Sequence, residues 1–134
     1  METLSIRTGR RTEIVDITAQ VRRAVEASGV RDGMCLVNCP HTTAGIAIQE
    51  HADPAVARDL AERLEHLAPH GAPWRHAEGN ADSHVKSALV GPGQVLPVSG
   101  GHLVLGTWQG VFFCEFDGPR RDRRVIVTVL ADAA

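Results

Sequence analysis

The chain has 134 residues, a formal net charge of −2 and a hydrophobic content of 43%. This length predicts one domain, residues 1–134, which is large enough to bury its own core. The near-neutral charge and the aromatic content of 4% exclude the broad basic surface and the stacking platforms typical of nucleic-acid-binding proteins.

The first part of the chain predicts short strands around one helix. Residues 4–8 and 12–17 are rich in β-branched residues and predict a hairpin that turns at Gly9-Arg10. Thr18 is a candidate N-cap for a helix that ends near Gly29. Residues 34–39 form a short apolar run, which predicts a buried strand.

The middle of the chain contains the clearest helix start, Asp53-Pro54, where an acidic N-cap precedes a proline at the first helical position. Residues 46–50 predict a strand just before it. The apolar face of the helix consists of four residues at three- and four-residue steps, Val56, Leu60, Leu64 and Leu67. Residues 69–80 then predict a loop.

The last third predicts a short helix followed by strands. Asp82 is a candidate cap for a helix that ends at Gly91. Two hairpins follow, the first formed by residues 94–98 and 102–105 and the second by residues 111–116 and 124–130. The expected fold class is α+β, with a mainly antiparallel sheet and helices on one face.

Three cysteines, Cys35, Cys39 and Cys114, lie in apolar runs. Their odd number and their surroundings predict small buried thiols in a reducing compartment. Since no run is long and apolar enough for a bilayer, we expect a soluble cytoplasmic protein that binds neither membranes nor nucleic acid.

The most informative segment is residues 80–86, which contains Asn80, Asp82, His84 and Lys86. Lys86 is the only lysine, against thirteen arginines. An ammonium is a compact point charge whose pKa shifts readily on burial, which suggests a special task such as a phosphate contact. Asp82 and His84 form the best candidate pair for acid–base chemistry or ligand binding. The alternative is a short helix with a solvated polar face.

A second group of candidates surrounds the strand at residues 46–50. His41 and Thr42 follow a predicted buried strand, where an imidazole and a hydroxyl can face an anion, or where the hydroxyl can satisfy turn backbone. Glu50 continues the apolar stripe of its strand. Together His41, Glu50, Asp82 and His84 could supply a mixed nitrogen and oxygen set for zinc or another divalent ion.

Two further motifs are polar interruptions of the C-terminal strands. Trp108 and Gln109 are flanked by glycines and could contact a ring-containing ligand, although Trp more often fills a core. The turn near Asp117 carries four arginines, Arg120, Arg121, Arg123 and Arg124, which could clamp a phosphate or form a solvated hairpin tip.

Taken together, these motifs resemble the YjbQ family, known as the secondary thiamine-phosphate synthase family. The resemblance runs over nearly the whole chain and rests on four segments, in family order and spacing: residues 41–44, 49–54, 82–91 and 105–110. It implies a small α+β protein that forms homotrimers, with polar pockets near the subunit contacts. One departure is His51, where the family commonly has Asn.

The resemblance also implies an activity and a set of site residues. The reaction would join a pyrimidine methyl diphosphate to a thiazole phosphate. The catalytic residues would be His84, Asp82 and Lys86. The substrate-binding residues would be His41, Thr42, Asn80, Trp108, Gln109 and Arg120. A divalent metal ion, zinc or magnesium, would bind His41, Glu50 and His84. The alternative is a trimeric metal- or anion-binding protein that acts as a hydrolase or a metabolite-binding module on a phosphate-containing ligand.

Overall fold

Eight β-strands and three α-helices make up the part of the chain that the computed structural model describes, residues 1–133. In chain order they are β1 (Glu2–Thr8), β2 (Glu13–Asp16), α1 (Thr18–Ser28), β3 (Gly33–Asn38), β4 (Ala44–Glu50), α2 (Pro54–Leu67), α3 (Ala81–Val90), β5 (Gly93–Ser99), β6 (His102–Leu103), β7 (Gln109–Glu115) and β8 (Arg120–Ala131). None of the helices in this part of the chain is long and apolar enough to span a membrane.

The strands form two antiparallel sheets, which confirms the predicted α+β class with antiparallel pairing. The five-stranded sheet has the order β1-β8-β3-β5-β6, and the three-stranded sheet has the order β2-β7-β4. The expectation of one sheet with helices on one face is therefore corrected. Helix α1 contacts strands of both sheets, whereas α2 and α3 contact strands of the three-stranded sheet.

The main hydrophobic core lies between the two sheets. Val37 and Val127 enter it from the five-stranded sheet, and Ile46 and Phe113 enter it from the three-stranded sheet. All four side chains are almost completely buried. Since burial of one such side chain contributes about 1.5–3 kcal/mol, this layer is the chief source of stability.

A smaller core covers the opposite face of the three-stranded sheet. Phe112 and Cys114 point away from the main core because side chains alternate along β7. They form a cluster with Leu64 of α2 and with Phe116. Strand β7 is therefore buried on both faces.

The predicted hairpins β1–β2 and β7–β8 are wrong. Strand β1 pairs with β8, and β2 pairs with β7. In each predicted pair, the two strands lie in opposite sheets. Ile6 of β1 and Val15 of β2 therefore pack against the same core from its two sides. Phe113 of β7 and Val125 of β8 do the same. Facing sheets bury the apolar stripes of both strands, which a flat hairpin would not do.

Two predictions that depend on local chemistry are confirmed. The Asp53 carboxylate accepts a hydrogen bond of 2.9 Å from the backbone N–H of Ala55 and caps α2. Strands β5 and β6 pair across Gly100 and Gly101, whose positive φ angles of 59° and 83° suit glycine.

The predicted helix caps Thr18 and Asp82 are wrong. The capping positions are Ile17 for α1 and Asn80 for α3, and neither side chain caps its helix. Thr18 lies in the first turn, where its hydroxyl donates to Asp16. Asp82 instead forms a buried ion pair with Lys86.

The outer face of the five-stranded sheet is apolar and exposed. Met34 of β3 lies opposite Pro97 of β5 and Leu130 of β8. Leu36, two residues further along β3, lies opposite Val95. All except Pro97 are large exposed hydrophobic residues, and Pro97 is exposed too. This patch, the outer sheet face, is composed of Met34, Leu36, Val95, Pro97 and Leu130.

The three cysteines are buried and unpaired, as predicted. Burial raises the pKa of Cys35 to about 11. Burial, together with the neighbouring Cys39, raises the pKa of Cys114 to about 12. The thiols are therefore protonated at neutral pH and act as small apolar side chains.

Candidate functional site

Helix α3 is held against the start of β4 and the segment after β7 by hydroxyl groups. The Ser83 hydroxyl donates to the carbonyl of Phe116 at 2.5 Å, and the Ser87 hydroxyl donates to the carbonyl of Ala44 at 2.6 Å. These bonds place the first turn of the helix beside the loop that carries His41 and Thr42. Candidates from distant parts of the sequence thereby come together.

His84 is oriented by the backbone of Thr42. Its Nδ1 lies 3.0 Å from the Thr42 carbonyl oxygen, which can only accept a hydrogen bond. The neutral ring therefore carries its proton on Nδ1, and Nε2 is available to a ligand. The His76 ring contacts His84 edge-on, with ring centroids 5.3 Å apart. The loop between α2 and α3 thus forms one wall beside His84.

Asn80 and Arg120 converge on one carboxylate. Asn80 Nδ2 and Arg120 Nη2 each lie 3.0 Å from Oδ2 of Asp117. Arg120 Nε also donates to the Asp117 carbonyl at 2.9 Å. The other amide atom, Asn80 Oδ1, is buried and has no hydrogen-bond partner within residues 1–133. This amide is held in a fixed orientation with a free acceptor.

His41 lies among arginines. Its Nε2 accepts a hydrogen bond of 2.9 Å from the backbone N–H of Arg124. Burial lowers the pKa of His41, and the charges of Arg123, Arg120 and Arg124 lower it further, although Glu115 acts in the opposite direction. Burial and the neighbouring arginines therefore both disfavour a positive charge on the His41 ring.

A buried ion pair between Arg123 and Glu115 holds the segment around His41 in place. Arg123 Nε donates to the Glu115 carboxylate at 2.9 Å, and Arg123 Nη2 donates to the Thr43 hydroxyl at 2.7 Å. Thr8 and the backbone N–H of Asp117 also donate to Glu115. Since β7 and β8 belong to different sheets, the pair joins the sheets and holds the loop that carries His41.

Lys86 does not reach an open surface. Its side chain is 1% exposed, and Nζ lies 2.8 Å from Asp82 and in direct contact with the Glu65 carboxylate. Arg11 binds the other side of Asp82 with two hydrogen bonds of 3.0 Å. Burial raises the pKa of Asp82, but Arg11 and Lys86 outweigh this effect and lower the pKa to about 2. We call these four residues the α3 ion network.

The expected pairing of Asp82 with His84 is corrected by this network. Asp82 bonds Arg11 and Lys86, and the Thr42 carbonyl takes its place as the partner of His84. Positions 82 and 84 are not on one helix face, whereas Asp82 and Lys86 are one turn apart. The i,i+4 spacing therefore already favoured the pair that forms.

The remaining candidates lie at the other end of β4. Glu50 ends this seven-residue strand and is in register with Gln109. At about 3.3 Å per residue, the strand separates Glu50 from the Thr42 end by roughly 20 Å. Trp108 is 63% exposed, and the Gln109 side chain accepts a bond from the Gly106 backbone. Within one chain, the predicted site residues therefore lie at two opposite ends of β4.

The metal set is divided in the same way. His41 and His84 lie near one end of β4 and Glu50 lies at the other, where its Oε2 is buried without a hydrogen-bond partner among residues 1–133. Over the same residues, no group of three or more His, Cys, Asp or Glu side chains is arranged to hold a metal ion. The residues of one chain do not fit the implied metal site.

Sequence reasoning missed several residues that shape the site. These are Arg11, Glu65 and Glu115. Arg11 and Glu65 meet α3 only through tertiary structure, as in the Arg11–Asp82 pair across 71 positions. Arg123 was predicted as a possible phosphate clamp, whereas its partner is the buried Glu115. Asp117 was noticed only as a turn residue. Its proximity to the arginines was visible, but its bond to Asn80 was not.

The comparisons with known proteins agree with this description. Residues 2–132 match the family model described as UPF0047 protein YjbQ-like. A UPF0047 protein of Methanocaldococcus jannaschii is 49% identical over 127 residues, covering 95% of this chain and 91% of the relative. The UPF0047 protein YugU of Bacillus subtilis is 47% identical over 125 residues, covering 90% and 92%.

Two solved structures share the fold at full length. A YjbQ/UPF0047 protein from Clostridium acetobutylicum, described as uncharacterized, has a TM-score of 0.94 and 47% identity, with 97% of this chain and 100% of that chain covered. A protein of unknown function from Sulfolobus solfataricus has a TM-score of 0.95 and 36% identity, with 98% and 96% covered. These similarities support the fold but give no information about activity.

Proposed function

This chain belongs to the UPF0047 YjbQ-like family, and on that basis we propose that the region around His84 binds a phosphate-containing small molecule. The supporting observation is that Asn80 and His84 lie one turn apart at the start of α3, and that Arg120 bonds the same Asp117 carboxylate as Asn80. Three arginines act on His41 there. An anionic ligand suits such a field because it offsets the positive charge.

The proposed reaction is the one that the family resemblance implies. The thiazole nitrogen attacks the methylene carbon of the pyrimidine methyl diphosphate with its lone pair. A carbon–nitrogen bond forms while the carbon–oxygen bond to diphosphate breaks, and diphosphate leaves with that electron pair. Arg120 would stabilise the developing charge, and a protonated His84 Nε2 would donate a proton to the departing oxygen.

The α3 ion network would support this chemistry indirectly. Lys86 and Asp82 neutralise each other in the interior, so we assign them the task of holding α3 in place. His84 and Asn80 depend on the position of that helix. The proposal routes no step through a metal ion. A divalent ion would enter only as the companion of the diphosphate, without an assigned set of protein ligands.

We further propose that the protein is a homotrimer. The two ends of β4 are roughly 20 Å apart in one chain, so Trp108 and Gln109 can share a pocket with His84 only across a subunit contact. The outer sheet face is apolar enough to be covered by another copy.

The three unpaired buried thiols fit the reducing cytoplasm, where we place the protein.

A binding function without this reaction is the second candidate. One observation favours it: Lys86, the expected catalytic ammonium, is enclosed by two carboxylates and is not available to a departing diphosphate. The protein would then hold a phosphate-containing metabolite, or hydrolyse it, without joining two rings.

The test is an assay of purified protein with both substrates, with and without magnesium, that detects thiamine phosphate by mass spectrometry. Wild type should form product above the protein-free background. His84→Ala and Arg120→Ala should each lower the rate at least about tenfold. His102→Ala, at an exposed histidine far from α3 in sequence, is the matched control and should have no effect.

The same samples separate the two candidates. Diphosphate binding that depends on Arg120, without product, would support the binding function and overturn the synthase reaction. Absence of both product and diphosphate binding would overturn the assignment of this region as a phosphate site.

A further inference from the structure

A second cluster of polar side chains lies at the opposite end of β4 from Thr42. The family resemblance assigns this cluster no role. His51 follows β4 directly, and its Nδ1 lies 3.0 Å from Oδ2 of Asp16, the last residue of β2. Because a carboxylate is the acceptor, the neutral ring carries its proton on Nδ1. Its Nε2 is then a hydrogen-bond acceptor directed away from Asp16.

Asp16 is held by a second residue. Its Oδ1 accepts hydrogen bonds of 2.9 Å from the Thr18 backbone N–H and 2.5 Å from the Thr18 hydroxyl. The Thr18 hydroxyl oxygen accepts in turn from the backbone N–H of Val111 at 2.9 Å. The carboxylate is thus fixed by bonds that originate on α1 and β7, as in arrangements that set the tautomer of a working imidazole.

The His51 ring is also fixed from below. Its backbone N–H donates to the Trp108 carbonyl at 3.0 Å. The ring lies over Gly110, where an added Cβ would be 2.6 Å from His51 Cγ and Nδ1. Only glycine leaves room for the ring there, because an added Cβ would meet Cβ, Cγ and Nδ1 at the base of the His51 side chain, which cannot move aside without displacing the ring.

The dyad opens onto a cleft of about 450 Å³ lined by Asp16, Thr18, Ala19, Arg22 and His51. This volume falls in the range of small-molecule sites. Arg22 brings a permanent positive charge and several donors to the cleft, whereas His51 brings an acceptor. Thr18 and Ala19 are small and leave the space between them free.

We propose that this cleft binds a small ligand that carries both an anionic group and a hydroxyl group. Arg22 binds the anionic group, and Nε2 of His51 accepts the hydroxyl proton in a hydrogen bond. Asp16 acts as a positioning residue that fixes the ring and its tautomer. A simple anion satisfies only Arg22, and a neutral alcohol satisfies only His51, so a ligand with both groups is the one that matches the cleft.

The cleft adjoins Trp108 through the His51 backbone, but the proposal uses none of the residues around His84. Its probes are read without the synthase assay, so its failure and the failure of the synthase reaction are distinguishable. The departure of His51 from the family's usual Asn also gives it a chain-specific element. An Asn could bond Asp16, but its short side chain would not present a ring nitrogen to the cleft.

The experiment uses two probes, glycerol phosphate and methyl phosphate, which share a phosphate ester but differ in hydroxyl groups. Affinities are measured at constant pH by isothermal titration calorimetry, and nuclear magnetic resonance of the His51 ring reports binding in the proteins that keep this residue. Glycerol phosphate should bind about three- to tenfold more tightly, the value of one hydrogen bond. Arg22→Gln should weaken both probes about tenfold, since a charged hydrogen bond is lost.

The matched control is Arg23→Gln, which changes the neighbouring arginine of α1 that does not line the cleft. It should leave both affinities unchanged. His51→Phe and Asp16→Asn should make the two probes bind equally. Gly110→Ala, which changes no polar group, should do the same by displacing the ring; if it unfolds the protein, the other two variants decide.

Three results would overturn the proposal. The first is the absence of a saturable change at His51 with either probe. The second is an equal loss of affinity in Arg22→Gln and Arg23→Gln, which would indicate general attraction to a basic helix face. The third is a preference for glycerol phosphate that survives His51→Phe.

Discussion

The ammonium nitrogen of Lys86 lies 2.8 Å from Oδ2 of Asp82, one turn earlier on α3, and both side chains are buried. Arg11 binds the same carboxylate from the segment between β1 and β2, and Glu65 of α2 closes the other side of Lys86. The only lysine of the chain is therefore the centre of a network that joins two helices and a loop. The network encloses a compact ammonium, whereas the larger planar head of an arginine would have to displace its neighbours.

The first prediction concerns Lys86→Arg. Charge is kept, but the larger head must fit a closed space, so we expect a loss of roughly 1–3 kcal/mol in the free energy of unfolding in urea. Lys86→Met leaves Asp82 with Arg11 alone and should cost about 3 kcal/mol. The control is Arg121→Gln at an exposed position. Equal unfolding midpoints for wild type and Lys86→Arg would show that the network does not constrain the head group.

The second prediction is an acid sensitivity caused by Asp82. Its pKa is about 2 in the folded protein and near 3.8 ordinarily, so its stabilising effect is complete above the ordinary pKa and is lost as pH falls toward 2. Urea unfolding between about pH 5 and pH 2 should show this loss. Asp82→Asn should be less stable at neutral pH but should lose less on acidification. A parallel loss in both proteins would assign the acid effect to other carboxylates.

The third prediction is that His84→Ala separates function from stability. The ring makes one hydrogen bond, to the Thr42 carbonyl, and is not part of either core cluster. We expect a change in melting temperature of only a few degrees, about 1 kcal/mol, together with a loss of diphosphate binding. Calorimetry measures both quantities. Unchanged binding or an unfolded variant would make His84 a structural residue.

The fourth prediction concerns thiol reactivity. Cys35, Cys39 and Cys114 are buried, and burial raises the pKa of each thiol. A thiol-specific reagent at neutral pH should label none of them in the native protein and all three in denaturant. Rapid labelling of the native protein would reveal an opening of the core between the sheets at Cys35 or Cys39, or of the smaller core at Cys114.

The fifth prediction tests the proposed trimer. Light scattering of the wild type should give three times the mass of one chain. Leu36→Lys places a charge in the outer sheet face and should yield monomers. Leu67→Lys, at an apolar residue at the end of α2 that is 73% exposed against 40% for Leu36, is the control and should remain trimeric. A monomeric wild type would remove the basis for a pocket shared between subunits.

The success of the sequence predictions follows the range of the interactions. The Asp53 cap and the turn at Gly100 depend on a few neighbouring residues, and both are correct. The proposed β1–β2 and β7–β8 hairpins failed because the order of strands along the chain does not show that each pair is divided between two sheets, which only tertiary packing decides.

The same limit applies to the candidate site. The sequence placed His84 and Lys86 together, but it could not show that one faces the Thr42 loop and the other the interior. The decisive partners, Glu65 and Thr42, lie 21 and 42 positions away. By contrast, the family resemblance was specific enough to predict membership along the whole chain.

The position of β8 has a consequence for biosynthesis. This strand, the last of the eight to leave the ribosome, lies inside the five-stranded sheet between β1 and β3. The first strand to emerge therefore has no edge to join until nearly all of the chain has been made. During translation the edge of β1 stays unpaired, as does the edge of β3 opposite β5, and nascent chains with unpaired strand edges are prone to aggregate. Completion of the five-stranded sheet therefore depends on the twelve residues of β8.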